Sequence, residues 1–425
     1  MINAQFFQDK AEKIYNILSD AIVNVPYYRE HLDITLPPVE EFTYEYFSNH
    51  IPILQKDQLK SDSTRFISDL YKKEELFIDV TSGTEGKPLN CYKSAKERIL
   101  CSNALWNRRR SWLKDLTPKD RFARFYTFRN DHRDTLVMNQ VLYRGNDLHI
   151  PLNDMSDDKL TEYWHEILKF KPRWIHGPST AIYNIARHVK RNQFERHTFE
   201  LIELNGEYVQ EHHMQLIKEV LGEHVAIHYG SREFWAMAFS CTDGKLHILD
   251  NNLFIEQVYN DEYQAHELLV TTLTNSAWPL IRYRIGDFGE IKWSGHATCN
   301  GKGAYVLELK SGRKADYFSL EGGITINAIL FSGIIRGLSL KDERYHVNQY
   351  QIVKHSENRL SLKLCIKECN KSYADALIQR CDHEIRKIIP GSIRIDYEIV
   401  DTIIPDGRTG KCKDFVDASN AGGGS

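Results

Sequence analysis

Residues Thr81-Ser82-Gly83-Thr84-Glu85-Gly86-Lys87-Pro88 follow directly on the apolar run Leu76-Phe77-Ile78-Asp79-Val80. A strand that runs into small hydroxyls, two glycines and a lysine makes a loop rich in N–H and O–H donors. Such a loop can close over a polyphosphate, because glycine permits close approach and lysine adds a point charge. The spacing is not that of the nucleotide P-loop, which needs four residues between its glycines and Ser or Thr after the lysine. A conventional P-loop phosphotransferase is therefore disfavoured.

Further segments follow in order: His228-Tyr229-Gly230-Ser231-Arg232-Glu233, Pro279-Leu280-Ile281-Arg282-Tyr283-Arg284-Ile285-Gly286-Asp287, Gly312-Arg313-Lys314-Ala315-Asp316 and Pro405-Asp406-Gly407-Arg408-Thr409-Gly410-Lys411. Together with the Thr81 loop, they resemble the ordered motifs of the adenylate-forming enzymes, the superfamily of acyl-CoA synthetases and adenylation domains. Val25-Pro26-Tyr27-Tyr28-Arg29, Ile51-Pro52-Ile53-Leu54-Gln55-Lys56-Asp57, His176-Gly177-Pro178-Ser179 and Leu204-Asn205-Gly206-Glu207 narrow the resemblance to the phenylacetate-CoA ligase branch, which includes relatives encoded with capsule genes. The resemblance covers residues 20 to 416.

The resemblance implies attack of a carboxylate on the α-phosphorus of ATP, giving an acyl-adenylate and pyrophosphate, then transfer of the acyl group to CoA. Two anions must approach, so the site has to supply positive charge and donors to both. Lys411 is the implied bridging cation, with Lys413 in reserve. Glu233 is the implied ligand of magnesium, a hard cation that takes one or two carboxylates plus phosphate oxygens. Asp287 is expected on the ribose hydroxyls and Arg313 at the hinge, within reach of ribose or phosphate. The nucleotide set is completed by Thr81, Ser82, Gly83, Thr84, Gly86, Lys87, Gly206, Glu207, Tyr229, Gly230 and Ser231. Against these stand ordinary roles: a surface lysine, a helix-capping glutamate, a turn aspartate and a surface arginine.

Departures from the motifs are Glu85 and Arg232 where threonines are usual, and Ala315 where an aspartate is usual. A carboxylate beside a triphosphate is repelled, so Glu85 points away or is neutralised by a partner. The simplest expectation is a charge pair with Arg232, and the alternative is that Arg232 grips a second acidic group on the substrate. Phe125, Tyr126, Phe128 and Trp235 are candidates for an aromatic substrate slot or for the core. His228 reads as a specificity residue or a satisfied core histidine. Cys241 and His247, with His296 and Cys299, form a candidate structural zinc set by resemblance to the branch.

These residues need a scaffold. Strand patterns alternate with helical ones through most of the chain, as in Arg121–Tyr126, the helix from Leu160 to Phe170, Trp174–His176, Leu201–Leu204 and Val225–Tyr229. The βαβα rhythm implies an α/β fold with substantially parallel sheets, whose ligands bind beyond the carboxyl ends of strands. The Thr81 and Gly230 loops are both expected at such ends. Short consecutive strands follow from His247 to Trp293, then an α+β pattern. The expected organisation is a large N-terminal adenylation domain over residues 1–312, a hinge at 313–318, a small α+β lid at 319–417 and a tail at 418–425 ending in the linker-like Gly422-Gly423-Gly424-Ser425.

At 425 residues and 49.6 kDa, more than one core is expected. A net charge of −3 supplies no overall drive toward nucleic acid or anionic membrane. The run Arg108-Arg109-Arg110 reads as a solvated helix face ahead of a nucleotide or CoA-phosphate site. The opening residues show neither a basic nor an apolar signal region, and no long apolar span occurs. With eight scattered cysteines, this fits reduced thiols and a cytoplasmic setting. Expected partners are a small carboxylic acid and CoA or a carrier protein, with a homodimer compatible. An amine or protein thiol as acceptor, and a nucleotide-binding protein that has lost catalysis, are the competing readings.

Overall fold

The computed structural model describes residues 2–425 except 82–88, 127–139, 153–154, 208, 210, 296–303, 314–316, 322–323, 329–330, 332–333, 336–337, 339–346, 348, 367–370, 387–388, 390, 405–413 and 420–425. The chain divides into two compact units. The first comprises Met1–Asn260, Ala265–Ile285 and Gly289–Leu309; the second comprises Asp261–Gln264, Gly286–Phe288 and Lys310–Ser425.

The first unit opens on short helices, among them Ala11–Asn24 and Tyr44–His50, and then the hairpin of β1 (Phe77–Val80) and β2 (Asn90–Lys93). The main sheet follows with β3 (Phe122–Tyr126), β4 (Leu142–Arg144), β5 (Asp147–Pro151), β6 (Trp174–Pro178), β7 (Leu201–Asn205) and β8 (Val225–Tyr229). It continues with β9 (Ala238–Ser240), β10 (Leu246–Ile248), β11 (Leu253–Asn260), β12 (Ala265–Thr272), β13 (Tyr283–Trp293) and β14 (Tyr305–Arg313). Their order across this 12-stranded sheet is β11-β12-β13-β14-β10-β9-β8-β7-β6-β3-β5-β4. The stretch β8-β7-β6-β3-β5 is parallel.

The crossover helices form for readable reasons. Helix Asp157–Phe170 has acids in its first turn and buries Leu160, Tyr163, Trp164, Ile167 and Phe170 along one stripe, ending at Lys171 in the left-handed region. It packs with helices Ser179–Asn192 and Glu211–Leu221 on one face of the parallel strands, where Ala123, Leu148, Ile150, Ile175, Ile202 and Leu204 complete the core. The other face meets helix Ala95–Trp112, which starts where the Ser94 hydroxyl accepts from the Glu97 N–H at 3.1 Å.

One expectation is corrected. Among the described residues, β1 pairs only with β2, antiparallel, in a two-stranded sheet. The Thr81 loop therefore leaves a hairpin strand, not a strand of the parallel sheet. The Gly230 loop does leave the last parallel strand, β8, whose next neighbour β9 is antiparallel.

The second unit holds a hairpin of β15 (Tyr317–Leu320) and β16 (Ile324–Asn327), and a sheet of β17 (Gln349–Ser356), β18 (Arg359–Cys365), β19 (Arg394–Val400) and β20 (Phe415–Asp417) in the order β19-β18-β17-β20. Helix Lys371–Ile385 buries Leu377, Cys381 and Ile385 with Ile352, Leu362, Leu364 and Ile393. Mixed α/β architecture with a smaller C-terminal sheet unit is thus the observed fold class. Among the described residues, no helix is long and apolar enough to cross a membrane.

Candidate active site

The turn after β8 is built around Gly230. A Cβ there would stand 1.8 Å from the Trp235 carbonyl oxygen, so only glycine fits. The Trp235 N–H donates to the Ser231 carbonyl at 2.7 Å, and Trp235 itself sits at φ 63°. This tight turn holds Glu233 buried, where its carboxylate accepts from the Tyr283 hydroxyl at 3.2 Å.

The turn is pinned to the β1–β2 hairpin by a residue that sequence reasoning missed. The Lys93 side chain is fully buried; its Nζ donates to the Arg232 carbonyl at 2.6 Å and lies 3.5 Å from the Asp79 carboxylate. The same Asp79 oxygen accepts from Trp235 Nε1 at 2.8 Å. A buried ammonium is stable only when paired and hydrogen-bonded in this way. The hairpin also carries the Thr81 loop, whose base is closed by Thr81 N–H to the Leu89 carbonyl and Leu89 N–H to Thr81 Oγ1, both at 2.9 Å. Loop residues Ser82, Gly83, Thr84, Glu85, Gly86 and Lys87 lie outside the described residues, so the expected Glu85–Arg232 pair does too; the Arg232 side chain is exposed.

Behind the turn lies a buried charge network. Arg109 donates to both Glu203 oxygens, at 2.7 and 3.1 Å, and His228 Nδ1 lies 2.9 Å from Glu203 Oε1. Burial works against the Glu203 carboxylate, but the charge of Arg109 and the hydrogen bonds from His228 and Arg109 outweigh it and hold the group well below the usual carboxylate range. The neighbouring His176 is pushed down to about 3, chiefly by burial, although Glu203 pulls the other way. These contacts correct the expectation of a solvated arginine face: Arg108 and Arg109 are buried, and only Arg110 of the run is exposed.

Other expectations find their places. Glu207 caps a helix: its carboxylate accepts from the Thr180 N–H at 3.0 Å and from the Thr180 hydroxyl at 2.8 Å, at the start of helix Ser179–Asn192. The capping oxygen comes from Glu207, beside Gly206 at φ 71°, while the N-cap residue Pro178 makes no side-chain cap. Phe125 belongs to the apolar core and lies against Gly177, so it lines no substrate slot on the opposite face. The Trp235 ring is held by Asp79 and stacked under the Arg98 guanidinium at 5.2 Å. Phe128 lies outside the described residues, as does the side chain of Tyr126.

No protein-family model matches the chain. It is 25% identical over 261 residues to the indoleacetate–lysine synthetase of Pseudomonas savastanoi, a match covering 60% of this chain and 63% of that enzyme, less than two thirds of its length. It is 23% identical over 380 residues to the protein CapK of Staphylococcus aureus, covering 84% of this chain and 77% of that one. Among solved structures, 2-hydroxyisobutyryl-CoA ligase in its postadenylation state superposes with a TM-score of 0.71 at 15% identity, over 97% of this chain and 90% of that one.

The chain has the adenylate-forming ligase fold.

On this ligase fold, the remaining site residues distribute as follows. Asp287 is buried within β13 and Arg313 is the last residue of β14. Lys411 and Lys413 lie outside the described residues, as do Ala315 and Asp316. Cys241 and His247 are buried around the tight β9–β10 connection, where the Cys241 N–H donates to the Lys245 carbonyl at 2.9 Å. His296 and Cys299 are outside the described residues, and among the described residues no group of three or more His, Cys, Asp or Glu side chains could hold a metal ion.

Proposed function

We propose that this protein is an ATP-dependent carboxylate ligase of the phenylacetate-CoA ligase type. A carboxylate oxygen of a small acid attacks the α-phosphorus of ATP, the bond to the β-phosphate oxygen breaks, and pyrophosphate leaves. The thiolate of CoA then attacks the acyl carbon of the adenylate and AMP departs. The observation that supports this most is Glu233: a buried carboxylate on a glycine turn at the carboxyl end of β8, oriented by Tyr283 and pinned by Lys93 to the hairpin that carries the Thr81 loop.

A hard carboxylate oxygen of this kind fits a magnesium ion carried on ATP, with phosphate oxygens as its other ligands. Bound there, the ion supplies charge neutralisation at the phosphates. The chain's own residues do the rest in this reading. Lys93 and Trp235 hold the turn, Thr81 closes the phosphate loop, Asp287 binds ribose, Arg313 reaches ribose or phosphate, and Lys411 bridges carboxylate and α-phosphate. Residues 313–318 serve as a hinge and 319–417 as a lid that re-orients between the half-reactions.

The likeness to an indoleacetate–lysine synthetase supports a second acceptor, an amine, in place of the CoA thiol. Acid-dependent pyrophosphate release with ATP and magnesium across a panel of aryl, fatty, amino and sugar acids tests the first half-reaction. Adding CoA or lysine then assigns the acceptor by which product, thioester or amide, accumulates. Release that survives Lys411→Ala unchanged contradicts the role given to that lysine.

A further inference from the structure

The parallel strands alternate two kinds of face, and the face away from the helical core changes character along its length. Strand register aligns Phe122 with Trp174 and Trp174 with Leu201 at the amino ends. Trp174 and Leu201 pack there with Leu116 and Trp106. Two residues further along, the aligned side chains are His149, Arg124, His176 and Glu203, and beyond them Asn205 pairs with His228. The carboxyl ends of these strands, where ligands of open parallel sheets bind, are therefore lined with hydrogen-bonding groups on this face.

Most of these groups are already satisfied by one another. Arg124 lies 2.9 Å from Asp147, whose carboxylate is 2.7 Å from His149. Asn205 Nδ2 is 3.4 Å from His176 Nδ1. Glu203 is taken by Arg109 and by His228 Nδ1. At the end of the row, however, His228 Nε2 is buried with no hydrogen-bond partner among the described residues. The ring is 14% exposed and abuts the Gly230 turn, where a Cβ would lie 3.3 Å from Nε2. A buried polar atom left unpaired is costly, so an orphan held in place by a buried Arg–Glu pair calls for a ligand. Nδ1 is committed to the Glu203 carboxylate, which leaves Nε2 as the ring's one remaining hydrogen-bonding atom, an acceptor whenever the ring carries a single N–H.

We propose that the acid accepted by this site carries a hydroxyl or amino group on its acyl part, and that His228 selects it by accepting that hydrogen bond. The inference rests on the adenylation reading above and names its substrate class: a polar, hydroxylated or amino-substituted acid, in preference to the bare aryl or alkyl acid of the same skeleton. A site built to pair a substrate donor rejects the analogue that lacks it, because its own buried group is then left unpaired.

The test uses matched acids differing only in hydroxyl or amino against hydrogen, such as lactate with propionate, 3-hydroxybutyrate with butyrate and 4-aminobutyrate with butyrate. Two readouts are taken on the full-length protein: kcat/KM for pyrophosphate release, and the Kd of each acid by calorimetry with a non-hydrolysable ATP analogue. The expected result is a preference of about tenfold or more for the polar member of at least one pair, collapsing to within about twofold in His228→Leu and partly restored in His228→Gln. Circular dichroism and thermal melting establish that both variants fold. Equal values within every pair, or a preference that His228→Leu leaves intact, overturn the proposal. Because Kd is read without turnover, absent pyrophosphate release with discriminating binding refutes the adenylation reading while upholding the role of His228.

Discussion

The two faces of the same parallel strands are put to opposite uses. On one, Ala123, Ile175, Ile202 and Leu204 are buried under helices Asp157–Phe170, Ser179–Asn192 and Glu211–Leu221. On the other, one residue along each strand, Arg124, His176, Glu203 and Asn205 look toward helix Ala95–Trp112 and the strand ends. The apolar face gains stability from area removed from water. The polar face accepts a desolvation cost that pairing among its charged groups offsets, with His228 Nε2 left over. A binding site can thus be placed within a strand of core residues, at the expense of local stability.

The sharpest way to break this comparison is to remove one partner from the polar face. Arg109→Met leaves the Glu203 carboxylate buried beside His228 without its cation, and a loss of roughly 3–5 kcal/mol is expected in equilibrium urea unfolding. Adding Glu203→Gln should recover much of it. A loss below about 1 kcal/mol would show that the pair is dispensable.

Next in size is Lys93→Met, which strands the Arg232 carbonyl and Asp79. A cost of about 1–3 kcal/mol is expected, with a larger fractional loss of adenylation as the Gly230 turn loosens. Unchanged pyrophosphate release would separate the turn from the chemistry.

Acid should also discriminate the faces. The His176 ring is ordinarily protonated near 6.5 but in the fold is held down to about 3. As pH falls through that window the unfolded chain takes up a proton that the folded ring refuses, so stability falls, by at most about 1.4 kcal/mol per pH unit for the one proton. Glu203, depressed below its ordinary 4.5, adds a further loss once pH drops under that value. Unfolding midpoints at pH 7, 5.5 and 4 should show the slope, and His176→Asn should flatten its upper part. On the apolar face, Ile202→Val should cost only about 0.5–1.5 kcal/mol, independent of pH.

Much of this was legible from sequence where the signal is local. The strand β8, Val225–Tyr229, is legible because a short apolar run ends at a glycine turn. The stripe Leu160, Tyr163, Trp164, Ile167 gave its helix for the same kind of reason. What failed was non-local. The pairing of β1 depends on which strand returns beside it, and four residues carry no sign of that. Lys93 reads as an ordinary strand lysine until the Arg232 carbonyl, 139 residues away, is brought to its Nζ. Within Arg108-Arg109-Arg110 nothing in the residue types distinguishes the arginine that faces Glu203, since only helix phase against a strand far along the chain selects it. Glu207 belonged to a motif by resemblance, yet its carboxylate is spent on the first turn of helix Ser179–Asn192.

The most direct test of the central claim is acid-dependent pyrophosphate release by the intact protein and by Glu233→Gln, with ATP and magnesium at matched concentrations. Adenylation at the Gly230 turn predicts release with at least one polar acid and a fall of about a hundredfold or more in the variant, with its thermal stability nearly unchanged. Release within about threefold of the parent would contradict it, and would move the chemistry away from this turn.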